Sequence, residues 1–205
     1  VYDWLFSQTS ATGGTYIDPT AAIVVGMGDW AQNLSGKLAD ESATIWYNVI
    51  GVSSNSITLF DTNGAETALS ISYVSGSLGV WAGATPSEYS DAIKSTFSSG
   101  SLENAIGTTN NYSTPLVWTL NGLNDRSRYT IEIVSCFGAP WAALSGFEVT
   151  GREPFSGTIS APYNYTNLLV FADVRSQNGT ITLKNWKVDG YYSILTAFRL
   201  LRTAP

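Results

Sequence analysis

Apolar and polar residues alternate with a period of two through much of this chain. The clearest stretch is 116–121, where Leu116, Trp118 and Leu120 are interleaved with Val117, Thr119 and Asn121. After the tight connection 122–125, Tyr129, Ile131 and Ile133 alternate with Arg128, Thr130 and Glu132. Alternation of this kind sends one row of side chains into a core and the other to solvent, as in a half-buried antiparallel strand. Comparable strands are predicted over 21–25, 43–50, 56–61, 67–74, 145–151 and 168–174, with an edge strand over 1–6 and a fragment over 158–160. Asn63-Gly64 predicts a hairpin turn between 56–61 and 67–74, because both residues accept the left-handed backbone that such turns need.

The chain is expected to close on a hairpin over 179–202. Ile181 and Leu183 alternate with Thr180, Thr182 and Lys184. A polar bend with Lys187, Asp189 and Gly190 then leads through Tyr191 and Tyr192 to an apolar strand over 194–201. Ile181, Leu183, Phe198 and Leu200 are the expected core contribution. One segment, 87–98, has helical spacing instead, with Tyr89, Ala92, Ile93 and Phe97 on one face, Ser87 as cap and Glu88 in the first turn. The stretches 31–42, 75–86 and 138–144, and the polar run after Gly100, read as loops. About ten strands and one short helix, separated by frequent turns, predict an all-β, antiparallel jelly-roll-type β-sandwich. No repeat or long linker divides the chain, so 1–205 reads as a single domain with room for a substantial core.

Composition narrows the function. Charged residues make up 13% of the chain, about half the usual share, so Ser, Thr, Asn and Gly must supply much of the polar surface. The net charge is −6 and the ten Lys and Arg are scattered, which argues against nucleic acid as a partner. Histidine is absent; Ser-His-Asp triads, Cys-His dyads and His-ligated zinc are excluded with it. The lone Cys136 cannot form an internal disulfide and is expected to be a buried, inert thiol. No apolar run approaches the roughly 20 residues of a membrane span, so membrane insertion is not expected. The chain starts at Val1 and its one methionine is Met27; it reads as a piece of a longer product, with the composition of an exported bacterial protein.

The segment 116–138, with an apolar strand, Gly-Leu, a short turn and a Tyr-Thr strand, resembles a module of galactose-binding-like β-sandwiches. Phe147 to Gly151 is similar to the strand that follows there, and 164–201 resembles their closing series. Upstream, 45–51 with 57–64 resembles the N-terminal part, so the likeness spans 40–202. It implies the fold of malectin-like domains and non-catalytic carbohydrate-binding modules from secreted or cell-surface bacterial proteins. A structural calcium is common among similar sandwiches. No residues are assigned to it, since Asp61-Thr62-Asn63-Gly64 with Glu66 lacks EF-hand spacing and a plain turn accounts for it.

Sugar recognition needs aromatic faces that stack on a pyranose, with polar groups beside them for the hydroxyls. Trp30, Trp81, Trp141 and Trp186 fall in or beside loops, as do Tyr163, Tyr165, Tyr191 and Tyr192, whereas Trp46 and Trp118 fall in strands. The expected ligand-binding residues are Trp81 and Trp141, then Trp186, Asp189, Tyr191 and Tyr192 of the bend, and Trp30. Hydrolysis would need two carboxylates in one cleft. Asp29, Asp40, Glu41, Asp173 and Asp189 lie near strand ends with nothing to pair two of them, so no enzyme is expected. The reading is a polysaccharide-binding module within a larger protein; the alternative is a self-assembling coat or filament subunit.

Overall fold

The structure, a computed structural model, describes residues 8–9, 15–16, 21–28, 36–39, 45–50, 56–76, 79–82, 84–108, 114–140 and 144–203. Two six-stranded sheets form a sandwich. The first runs, in spatial order, β13 (Pro154–Ser160), β12 (Leu144–Thr150), β15 (Thr180–Lys187), β10 (Leu116–Asn121), β7 (Glu66–Ser75) and β6 (Ile57–Phe60). The second runs β14 (Leu169–Val174), β11 (Arg128–Val134), β16 (Ala197–Thr203), β3 (Ile23–Met27), β5 (Trp46–Ile50) and β4 (Gly36–Ala39). Neighbours are antiparallel except β3 and β5, which run parallel with Val25 opposite Asn48. Among the described residues there are also two small ribbons, β1 (Gln8–Thr9) with β2 (Thr15–Tyr16) and β8 (Gly79–Ala82) with β9 (Asn104–Gly107). The fold is the expected all-β sandwich, with one short α-helix among the described residues. The edge strand expected over 1–6 lies outside the described residues.

The alternating rows meet between the sheets. Leu116, Trp118 and Leu120 of β10 and Ile181 and Leu183 of β15 face Tyr129, Ile131 and Ile133 of β11 and Phe198 and Leu200 of β16 in one buried cluster. Asp61 caps the hairpin turn, its Oδ1 accepting from the amides of Asn63 and Ala65 at 2.9 Å each.

The helical stretch differs from its expected bounds of 87–98. Pro86–Glu88 forms a 3-10 turn, Tyr89 is extended, and the helix α1 (Asp91–Phe97) follows. Its cap is Ser90, not Ser87; Ser90 Oγ accepts from the Ile93 amide at 3.4 Å. The extended Tyr89 breaks the helix because it turns its ring down onto the second sheet. There Tyr89, Ile93, Phe97 and Leu102 pack on Val24, Tyr47, Val49, Val134 and Ala197. β3 and β5 are thus covered on both faces, and every residue of β3 is buried, the pattern of a strand with no solvent side. Cys136 lies in this layer, and burial pushes its thiol up to about 11.

The closing hairpin is a correction. β15 pairs with β10 and β12 in the first sheet, whereas β16 pairs with β11 and β3 in the second. The segment between them crosses from sheet to sheet, and β16 starts at Ala197 rather than at 194. The reason is backbone pairing elsewhere: Leu195 and Ile106 exchange hydrogen bonds of 2.7 and 2.9 Å, and Thr196 donates to the Val134 carbonyl at 3.0 Å. β9, which receives Leu195, lies in a region that reads as loop, as do β4 and β8.

Asn48 ties the sheets together from a buried position on β5. Its Nδ2 donates to the carbonyls of Val24 (3.0 Å) and Phe60 (2.8 Å), and its Oδ1 accepts from the Phe60 amide (2.8 Å). Asn48→Ala removes these hydrogen bonds to the Val24 carbonyl and to both backbone groups of Phe60, so urea denaturation is expected to show a loss of roughly 2–4 kcal/mol. A loss below about 1 kcal/mol would mean that this tie holds little.

Candidate functional site

Among the described residues no helix covers the outer face of the first sheet, and that face carries an aromatic platform. On β15, Ile181, Leu183 and Asn185 point inward, so Thr182, Lys184 and Trp186 point outward. Trp186 stands opposite Gly146 of β12. A Cβ at Gly146 would lie 2.4–2.7 Å from Cε2, Cζ2 and Nε1 of the indole. The ring is therefore laid down over the glycine, one face on the backbone and the other turned away from the sheet. Any other residue at 146 would push it off.

One register step away, Lys184 is opposite Glu148. Lys184 Nζ donates to Glu148 Oε1 at 2.5 Å, and Thr150 Oγ1 donates to the same oxygen at 3.1 Å. The Lys184 hydrogen bond holds the Glu148 carboxyl below its usual range, with help from Thr150 and against the opposing effect of burial. Thr119 of β10, paired with Thr182, extends a polar strip along the face. A flat aromatic surface beside a fixed cation, a fixed anion and hydroxyls can stack on an apolar ring face and exchange hydrogen bonds with hydroxyl groups.

The bend after β15 continues the surface round the end of the sandwich. Val188 donates its amide to the Leu144 carbonyl at 3.0 Å, and Asp189 Oδ1 accepts from the Gly190 amide at 2.7 Å. Tyr191 is 58% exposed, and its ring centroid is 6.3 Å from that of Tyr192. Tyr192 packs inward on Phe137, also at 6.3 Å. Across the Phe137 backbone, whose carbonyl accepts from the Tyr163 amide at 2.9 Å, Tyr163 is 52% exposed.

Of the expected binding residues, the structure brings Trp186, Asp189, Tyr191 and Tyr192 together on one segment. Asp189 and Tyr191 face solvent, Trp186 lies on the sheet, and Tyr192 is packing. Trp30 and Trp141 lie outside the described residues; Trp81 has its backbone in β8 opposite Ala105, while its side chain lies outside them. Trp118 is core. Asp173 pairs with Arg128 at 3.2 Å near the far end of β14, so it shares no cleft with Asp189. Among the described residues no three or more potential ligands cluster for a metal ion, and no helix is long and apolar enough to cross a membrane. Gly146, Glu148 and Lys184 escape a reading of the sequence. The i, i+2 spacings of Gly146 with Glu148 and of Lys184 with Trp186 are visible there, but only the β12–β15 register sets them opposite each other.

No family model and no curated protein matches this chain. Among solved structures it superposes on part of Bacteroides uniformis beta-glucuronidase 2. Two such structures, a calcium binding mutant and a complex with covalently bound cyclophellitol-6-carboxylate aziridine, each give a TM-score of 0.50 at 10% identity. In both, 90% of this chain is covered and 18% of the other. What the likeness shows is the fold. A complex of TmCBM61 with beta-1,4-galactotriose aligns over 66% of this chain and 88% of its own at 14% identity, and its TM-score of 0.38 is too low to carry an argument. The likeness extends to a β-sandwich architecture, and this chain spans 18% of the length of the glucuronidase structures it matches.

Because the native carboxyl is held low, Glu148 contributes stability that is complete above its ordinary range and is lost as pH falls through the depressed value. Titration of the Glu148 side chain by NMR is expected to fall below the usual carboxylate range, and Lys184→Met to raise it. An unchanged titration in that variant would remove Lys184 as the cause.

Proposed function

We propose that this domain is a non-catalytic carbohydrate-binding module, carried by a larger secreted or surface protein, whose platform is Trp186. The supporting observation is the indole laid over Gly146 on the one sheet face that no helix covers among the described residues. A pyranose presents an apolar C–H face with hydroxyls at its rim; the ring fits the first, and Lys184, Glu148, Thr150 and Thr182 fit the second. Tyr191 offers a further contact for a longer chain. The geometry favours holding over cleaving. Glu148 is the one carboxylate on β10, β12 and β15, and Lys184 and Thr150 already engage it, whereas glycoside hydrolysis needs a pair.

The test is tryptophan fluorescence during titration with a panel of neutral oligosaccharides. A saturable change is expected for at least one of them, weakened at least about tenfold by Trp186→Ala and less by Tyr191→Ala, with thermal melts confirming folding. Equal binding by the wild-type and Trp186→Ala proteins would overturn the assignment of the platform. Silence across the panel would count against a neutral glycan altogether.

A further inference from the structure

The other end of the sandwich has the opposite chemistry. Five of the six arginines, Arg126, Arg128, Arg152, Arg175 and Arg202, lie in or beside the turns that join β10 to β11, β12 to β13 and β14 to β15, or near the end of β16 that pairs with β11 there. They outnumber the acids of the same corner, Asp125, Glu153 and Asp173, in a chain whose net charge is −6.

Three of them converge on a cleft of about 360 Å³ lined by Arg128, Arg152, Arg175, Glu153, Asp173 and Phe155. An adjoining hollow of about 500 Å³ shares Arg152 and Glu153 and adds Asp125, Gln177 and Asn178. The backbone brings the two turns together. The Arg152 amide donates to the Arg175 carbonyl at 2.9 Å, and a Cβ on Gly151 would fall 1.9 Å from that same oxygen. Only glycine permits this approach, which sets two like-charged residues side by side. Asp125 pins the outer turn, accepting from Ser176 Oγ at 2.6 Å and the Gly179 amide at 2.8 Å. Asp173 adopts a left-handed backbone, φ 58°, where the register of β14 against β11 shifts, and its carboxylate meets Arg128 at 3.2 Å. Arg152 and Arg175 form no ion pair among the described residues.

We propose that this corner is a second ligand site that takes an acidic sugar, its carboxylate or sulfate ester held by Arg152 and Arg175. Guanidinium groups match both oxyanions through paired N–H donors. Phe155, half-buried against the core, supplies an apolar wall for the ring, and Gln177, Asn178 and Glu153 supply donors and acceptors for its hydroxyls. Choosing a sugar as the carrier of the oxyanion rests on the carbohydrate-binding reading above.

The experiment is calorimetric titration of the wild type, of an Arg152→Gln/Arg175→Gln variant and of Trp186→Ala. The probes are a neutral oligosaccharide, an oligogalacturonate, a sulfated oligosaccharide of equal length and inorganic sulfate. Both arginines are exposed, so the double variant is expected to melt as the wild type does. At least one acidic oligosaccharide is expected to bind at least about tenfold tighter than the neutral one. That advantage is lost in the double arginine variant and shrinks at high salt, while Trp186→Ala leaves it in place. An advantage that survives in the arginine variant, or is absent in the wild type, overturns the site. Inorganic sulfate binding as tightly as the sulfated sugar overturns its assignment to a sugar. Failure of the neutral oligosaccharide alone, with the arginine-dependent advantage intact, leaves this site standing and counts against the Trp186 platform.

Discussion

The crossover between the last two strands is the constraint on which the candidate binding surface depends. To pass from the first sheet to the second, residues 193–196 run through the interior, and each polar group there needs a partner. The partners are hydroxyls and amides. Ser193 Oγ donates to Asn185 Oδ1 at 2.8 Å and accepts from the Thr108 amide at 3.0 Å. Ser145 Oγ accepts from the Ile194 amide at 2.8 Å, and Ser135 Oγ donates to the Ile194 carbonyl at 2.7 Å. Thr196 Oγ1 closes the set on both backbone groups of Cys136, accepting at 3.0 Å and donating at 3.1 Å. A satisfied network of this kind is rigid, since breaking one member leaves buried groups unpaired.

The same network carries the platform. Asn185 immediately precedes Trp186, and its Nδ2 donates to the Gly146 carbonyl at 3.2 Å, the residue on which the indole lies. Inward-facing Asn185 and outward-facing Trp186 thus fix one spot of the sheet from both sides. The fold adds an asymmetry. Helix α1 and its flanks pack on the outside of the second sheet, whereas among the described residues no helix covers the outside of the first, the face proposed for ligand. The ends differ too, one carrying tyrosines and the other arginines.

Much of the sandwich is legible in the sequence because its signals are local. The rows Leu116-Trp118-Leu120 and Tyr129-Ile131-Ile133 announce their strands by alternation, and Asn63-Gly64 announces its turn. The closing pair misleads because β15 and β16 have the length and pattern of a hairpin; only the partners of Ser193, Leu195 and Thr196, far away in sequence, show that the chain changes sheets. β9 hides for a related reason, as Asn104–Gly107 is short and is stabilised by pairing with β8 and Leu195 rather than by a pattern of its own. Of the site, the sequence shows the aromatic bend but not the glycine beneath Trp186 or the ion pair beside it. Both depend on cross-strand register, which no local pattern encodes. The arginines look scattered for the same reason: turns far apart in the chain gather them at one corner.

The most direct test is backbone amide chemical-shift mapping of the domain with a bound neutral oligosaccharide. The account predicts that the largest shifts fall on 144–150 and 182–191, with 91–102 on the covered face undisturbed. Shifts concentrated on 91–102, with the strands around Gly146 and Trp186 silent, would contradict it.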